Sequence, residues 1–122
     1  MHNYLIVSDL SNEAKKLASA HARTFRNVEK ALYGNDVSIL SIYKKVKECK
    51  DKAQLSNVLN TNNYDITDAK LKDDLKRFFS DIIKSTSALS DRDALFFANE
   101  AFTYLIIALQ TKLDAMKRGY WY

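Results

Sequence analysis

Ser90-Asp91-Arg92-Asp93-Ala94-Leu95-Phe96-Phe97-Ala98-Asn99-Glu100-Ala101-Phe102-Thr103-Tyr104-Leu105-Ile106-Ile107-Ala108-Leu109 is the stretch that decides the fold. It opens on a start signal: Ser90 can cap orphan backbone amides, and Asp93 stands where a capping box usually carries Glu. Asp91 and Asp93 also place negative charge in the first turn, where the helix dipole favours it. From Leu95 to Leu109 the sequence is apolar almost all round, which predicts a helix wrapped by others or joined to a partner. It runs on to about Arg118, and Gly119 stops it. Asn99, Glu100 and Thr103 interrupt it; burying them costs free energy unless each finds a partner or marks a wet edge. The apolar run Ala94 to Leu109 falls short of the ~20 residues that span a bilayer, so no membrane segment is expected.

Three amphipathic segments precede it. Ala14, Leu17, Ala18, His21, Phe25, Val28 and Leu32 recur at steps of three and four, predicting one helix from Ser11 to a left-handed Gly34. Ile39, Ile42, Val46, Cys49 and Ala53 make a second, beginning at Asp36 or Ser38. Its stripe then shifts to Leu55, Val58 and Leu59, so a bend or break belongs near Asp51. Asn60-Thr61-Asn62-Asn63 reads as a loop, because these side chains compete for backbone hydrogen bonds. Thr67 is the expected cap of a third helix with Leu71, Leu75, Phe78, Phe79, Ile82 and Ile83 inward, ending at Ser85-Thr86-Ser87. The expectation is an all-α, compact bundle of four to five helices around the apolar C-terminal helix, one domain over residues 1–122.

Composition agrees. The chain is 47% hydrophobic and 28% charged, an ordinary globular balance, and long enough to bury a core without metals or disulfides. Two glycines and no proline leave too few corner residues for a turn-rich β architecture. The single Cys49 cannot form an internal disulfide, and no second Cys or His stands near it, so an inert structural thiol is expected. The opening Met1-His2-Asn3-Tyr4-Leu5-Ile6-Val7-Ser8-Asp9 has an apolar run of four residues followed by an acid, unlike a signal peptide; a cytoplasmic location is expected.

No catalytic set can be assembled from the sequence. His21 lies on an apolar face, where a hydrogen-bonded core histidine is the expected reading, and no nucleophile and orienting group are spaced to serve it. Asp73-Asp74 alternate with Lys70, Lys72, Lys76 and Arg77 and read as a solvated, salt-bridged face. The Glu-x-x-His pairs of bundle metal sites are missing, so neither metal nor cofactor is expected.

The charge is uneven, and that is the informative feature. Between Lys15 and Lys52 ten basic residues meet four acidic ones, a balance of +6; from Thr61 onward nine meet nine. Lys16, Arg23, Arg26 and Lys30 lie off the apolar stripe of the first helix, and Lys44, Lys45 and Lys47 crowd the second, with Lys50 and Lys52 beyond. Clustered cations of this kind displace counterions from phosphates and bind nucleic-acid backbones without reading sequence. A soluble basic surface is the plain alternative at a net charge of +4. The terminal Tyr120-Trp121-Tyr122 is aromatic enough to anchor a protein contact or stack on bases, or to fold back on the bundle.

The segment Leu89 to Ile106, with its Ser90-Asp91 cap, its aromatics and its Tyr104-Leu105-Ile106 run, resembles a helix in the small subunits of CRISPR effector complexes. It covers roughly a sixth of the chain and departs where the family often has Gly-Gln, since here Asn99-Glu100 stand. The resemblance implies a non-catalytic basic bundle that docks on a larger ribonucleoprotein assembly and touches guide and target backbones, here through the basic residues of the first two helices. The rival expectation is a small protein-binding module, of inhibitor or immunity type, acting through an aromatic or apolar patch with Tyr120, Trp121 and Tyr122 as anchors. Self-association is compatible with both.

Overall fold

The computed structural model describes residues 3–34 and 37–119, with side chains from Asp9 onward; His2, Asp36 and the Tyr120–Tyr122 aromatics lie outside the described residues. Within them the chain forms six α-helices and no strand: α1 (Asn3–Thr24), α2 (Val28–Tyr33), α3 (Ile39–Glu48), α4 (Lys52–Val58), α5 (Ala69–Thr86) and α6 (Asp91–Lys117), with a single 3₁₀ turn at Thr61–Asn63. The all-α bundle around an apolar C-terminal helix is therefore the observed architecture.

Helix α6 is the spine. Ala94, Phe97, Ala98, Ala101, Phe102, Leu105, Ile106 and Leu109 are all buried, and α1, α2, α3 and α5 each pack on it. Helix α1 runs parallel to it, with Ser11 donating to Glu100 at 2.7 Å near one end and Lys112 reaching the Ala22 carbonyl at 3.1 Å near the other. Ala14, Ala18 and Ala22 on α1 and Ala94, Ala98 and Ala101 on α6 are all buried, small side chains that suit close packing of helices. The chain through α3 runs antiparallel to α6, with Tyr33 near Gln110, Tyr43 Oη 2.9 Å from Thr103 Oγ1, and the Lys52 amide 3.2 Å from Asp91 Oδ1. At the centre the Phe102 ring meets Phe78 at 5.2 Å, Tyr43 at 5.9 Å and Phe79 at 6.2 Å between centroids. By length and composition α6 could cross a membrane; 44% of its most apolar window is buried within the bundle, and Ile107 is exposed.

Local signals explain most boundaries. Ser38 and Ser41 exchange side-chain and backbone hydrogen bonds at the start of α3. Asp51 accepts from the Gln54 amide and starts α4, which is the break the shifted stripe predicts. Ser90 accepts from the Asp93 amide at 3.1 Å, and Gly119 closes α6 with φ of 79°.

Three expectations need correction. The helix predicted from Ser11 to Gly34 begins earlier, at Asn3, and is broken at Phe25–Asn27 into α1 and α2. Asn27 caps α2 by accepting from the Lys30 amide. The carbonyls freed at the end of α1 are taken by Lys112, whose ammonium lies 3.1 Å from Ala22 O, 3.4 Å from Arg23 O and 3.3 Å from Phe25 O. Gly34 is not left-handed: φ is −55°, and glycine is required because a Cβ would stand 2.6 Å from the Lys30 carbonyl. The cap of α5 is Asp68 and not Thr67; its carboxylate accepts from the Leu71 amide at 3.0 Å.

The Lys112 cap carries an expected outcome. Lys112→Met keeps the aliphatic stem and removes the charge from a helix C-terminus, and should cost about 1 kcal/mol, or about 4 °C in Tm. Thermal unfolding followed by circular dichroism checks it.

Candidate nucleic-acid interface

The basic residues of the predicted interface divide into two groups with different neighbours. Those on α1 and α2 turn mainly toward carboxylates. Lys16 pairs with Glu13 across one helical turn at 3.6 Å, in the open. Arg26 lies in the α1–α2 break and is held by α5: its guanidinium reaches Asp74 at 2.9 Å, Asp73 at 3.2 Å and the Lys70 carbonyl at 3.1 Å. Its backbone amide also donates to Asp74. The Asp74 hydrogen bond, above all, raises the Arg26 pKa beyond its ordinary value. Lys30 pairs with Asp68 at 3.2 Å, and the Asp68 carboxyl is held below its usual range, first by the Leu71 amide and then by Lys30. Arg23 is exposed, and its side chain has no carboxylate partner among the described residues.

Asp74 is the pivot, and it corrects the reading of Asp73-Asp74 as a solvated face. Its side chain is 1% exposed and accepts from Arg26 and, at 2.6 Å, from Arg77. A buried carboxylate persists only when its lone pairs are met, and here two guanidinium groups and one amide meet them. Asp74→Ala should cost about 2–3 kcal/mol, less than a wholly buried pair because both arginines reach solvent. Asp74→Asn, which keeps the shape, should cost less. Urea unfolding of both variants checks the order.

Helix α3 is different. Lys44, Lys45, Lys47 and Lys50 are exposed and, among the described residues, none pairs with a carboxylate. Lys45 lies over the Tyr64 ring at 4.9 Å and Lys47 over the Tyr43 ring at 4.6 Å. These aromatic contacts hold the stems against the surface and leave the ammonium groups their charge. Tyr43 is anchored by Thr103, and Tyr64 by its hydroxyl donating to the Val58 carbonyl at 2.6 Å. Lys52, by contrast, is engaged in capping, with its ammonium on the carbonyls of Ser87 and Leu89.

The remaining chemical groups are accounted for by the fold. His21 is buried, with Nε2 2.6 Å from Asp81 Oδ2 and its ring edge-on to Phe78 at 5.3 Å, the core histidine that the apolar stripe implies. Cys49 donates its thiol to the Lys45 carbonyl at 3.3 Å, and burial pushes its pKa up. Asn99 donates to the Leu95 carbonyl, Thr103 to the Asn99 carbonyl, and Glu100 accepts from Ser11, so each polar interruption of α6 has a partner.

One basic feature was not read from the sequence. Because Asp73 and Asp74 are taken by Arg26 and Arg77, Lys72, Lys76 and Lys84 stand along α5 with no carboxylate partner among the described residues. The signal was present as a four-residue spacing through Ser80, but the neighbouring aspartates masked it. No protein-family model, curated protein or solved structure matches this chain.

Proposed function

We infer that this protein is a non-catalytic helical subunit of a ribonucleoprotein assembly in the cytoplasm, touching nucleic-acid backbone mainly through α3. The observation that carries the reading is the charge left uncompensated there: Lys44, Lys45 and Lys47 on one short helix, and Lys50 just past its end, have no carboxylate partner among the described residues. Arg26 and Lys30, by contrast, are committed to Asp73, Asp74 and Asp68. Phosphates would replace bound counterions at α3 without any reorganisation of the core. Arg23 extends the positive field along α1 and acts at longer range, while Lys16 is offset by Glu13. The likeness of Leu89–Ile106 to the small subunits of CRISPR effector complexes points the same way.

Fluorescence anisotropy with short labelled single strands and duplexes tests this. Four phosphate contacts predict binding that weakens about 50-fold for single strands and about 150-fold for duplexes as salt rises from about 50 to about 200 mM, with little dependence on sequence. Absence of binding at the lower salt contradicts it.

A protein-binding module is the second reading, favoured by Tyr33 and Ile107, which are 52% and 53% exposed. Tyr120, Trp121 and Tyr122, which lie outside the described residues, are the anchors that the sequence offers for such a contact. A tight partner retained after nuclease treatment supports this reading over the first.

A further inference from the structure

Two cavities lie on either side of one ridge of α5. The ridge is Lys76, Ser80 and Lys84, residues four apart and therefore on one line of the helix. On one side, between α5 and the segment from α4 to the 3₁₀ turn, is a cavity of about 320 Å³ walled by Leu59, Phe79 and Ile83, with Asn60 and Asn62 at its edge. On the other side is a cavity of about 420 Å³ bordered by His21, Arg77 and Asp81. Both lysines border both cavities.

We propose that the cavity walled by Leu59, Phe79 and Ile83 binds a nucleotide, with the base in the apolar slot and its phosphate on Lys76 or Lys84. Three features select that ligand. The volume falls within the range of small-ligand sites, and Leu59, Phe79 and Ile83 form an apolar floor, while the other seven of its ten lining residues are polar. Asn62 has an exposed side-chain amide, able to donate and accept at a base edge; Asn60 uses its oxygen to accept from the Asn62 amide nitrogen and keeps its NH₂. The two ammonium groups rise from positions two helical turns apart, about 12 Å along the axis, so they bracket the slot. A free nucleoside phosphate would use one of them; a nucleotide within a single strand would place its two flanking phosphates on both. The site does not depend on α3, and its outcome is independent of the backbone contact assigned there.

The test is an NMR titration of the intact protein with adenosine monophosphate, inorganic phosphate and a short single-stranded oligonucleotide. Saturable amide shifts at Asn60, Asn62, Ser80 and Ile83 with the mononucleotide, at about millimolar affinity and not reproduced by phosphate, are expected. Tighter binding of the oligonucleotide to the same residues identifies the strand as the source, and equal or weaker binding identifies the free nucleotide. Lys76→Glu with Lys84→Glu should weaken binding about tenfold or more. Ser80→Trp, an exposed position whose new side chain obstructs the slot, should abolish it while leaving the spectrum of a folded protein. Variants at Lys44, Lys45 and Lys47 should leave these shifts in place. No saturable shift in the millimolar range, equal shifts with phosphate alone, or undiminished binding by folded Ser80→Trp would overturn the assignment.

Discussion

Phe102→Ala is expected to remove a large share of the stability of this protein. Phe102 is fully buried, and its ring is the meeting point of Phe78, Phe79 and Tyr43 from two other helices. Truncation loses the transfer free energy of the ring and leaves a cavity that three aromatic neighbours cannot fill without leaving their rotamers. The cost is about 3–5 kcal/mol, against a total of about 5–15 kcal/mol for a domain of ordinary stability. Ile107→Ala on the same helix serves as the control. Ile107 is 53% exposed, so its truncation should change stability by no more than about 0.5 kcal/mol. Urea unfolding separates the two, and a Phe102→Ala midpoint close to that of Ile107→Ala would contradict the packing.

The second large effect is on binding. Reversing Lys44, Lys45 and Lys47 to Glu should weaken nucleic-acid affinity about a hundredfold or more at low salt. The slope of log affinity against log salt should fall by about two to three, as three phosphate contacts are lost. The fold should survive, since all three side chains are exposed and none bonds a carboxylate among the described residues. Lys30→Gln is the informative comparison. Lys30 already faces Asp68, so neutralising it should leave the salt slope nearly unchanged. Equal losses from the two sites would mean that net charge alone, and not the α3 ridge, sets the affinity.

What was legible in the sequence was what local rules decide. Ser38, Asp51 and Ser90 are caps whose partners lie three residues away, and the apolar stripes of α3, α5 and α6 repeat with helical spacing. The break at Phe25–Asn27 could not be found in that way. Its stripe runs on through Val28 and Leu32, and the groups that stabilise the interruption, Asp74 and Lys112, sit 48 and 90 residues beyond Arg26 and Ala22. The division of the basic residues into paired and unpaired groups was not legible for the same reason. Sequence places Arg26 and Lys30 beside the α3 lysines as one positive flank, while only the fold brings Asp68, Asp73 and Asp74 against the first two. The same aspartates conceal Lys76 and Lys84 in the sequence, and by pairing elsewhere leave them unneutralised in the structure.

Native-state hydrogen exchange measured by NMR tests the enclosure of α6 most directly. Amides of Ala98, Phe102, Leu105 and Ile106 should exchange only through global unfolding, with opening free energies equal to that from urea and the slowest rates in the chain. Rapid exchange of these amides while α1 and α5 remain protected would contradict a bundle organised around that helix.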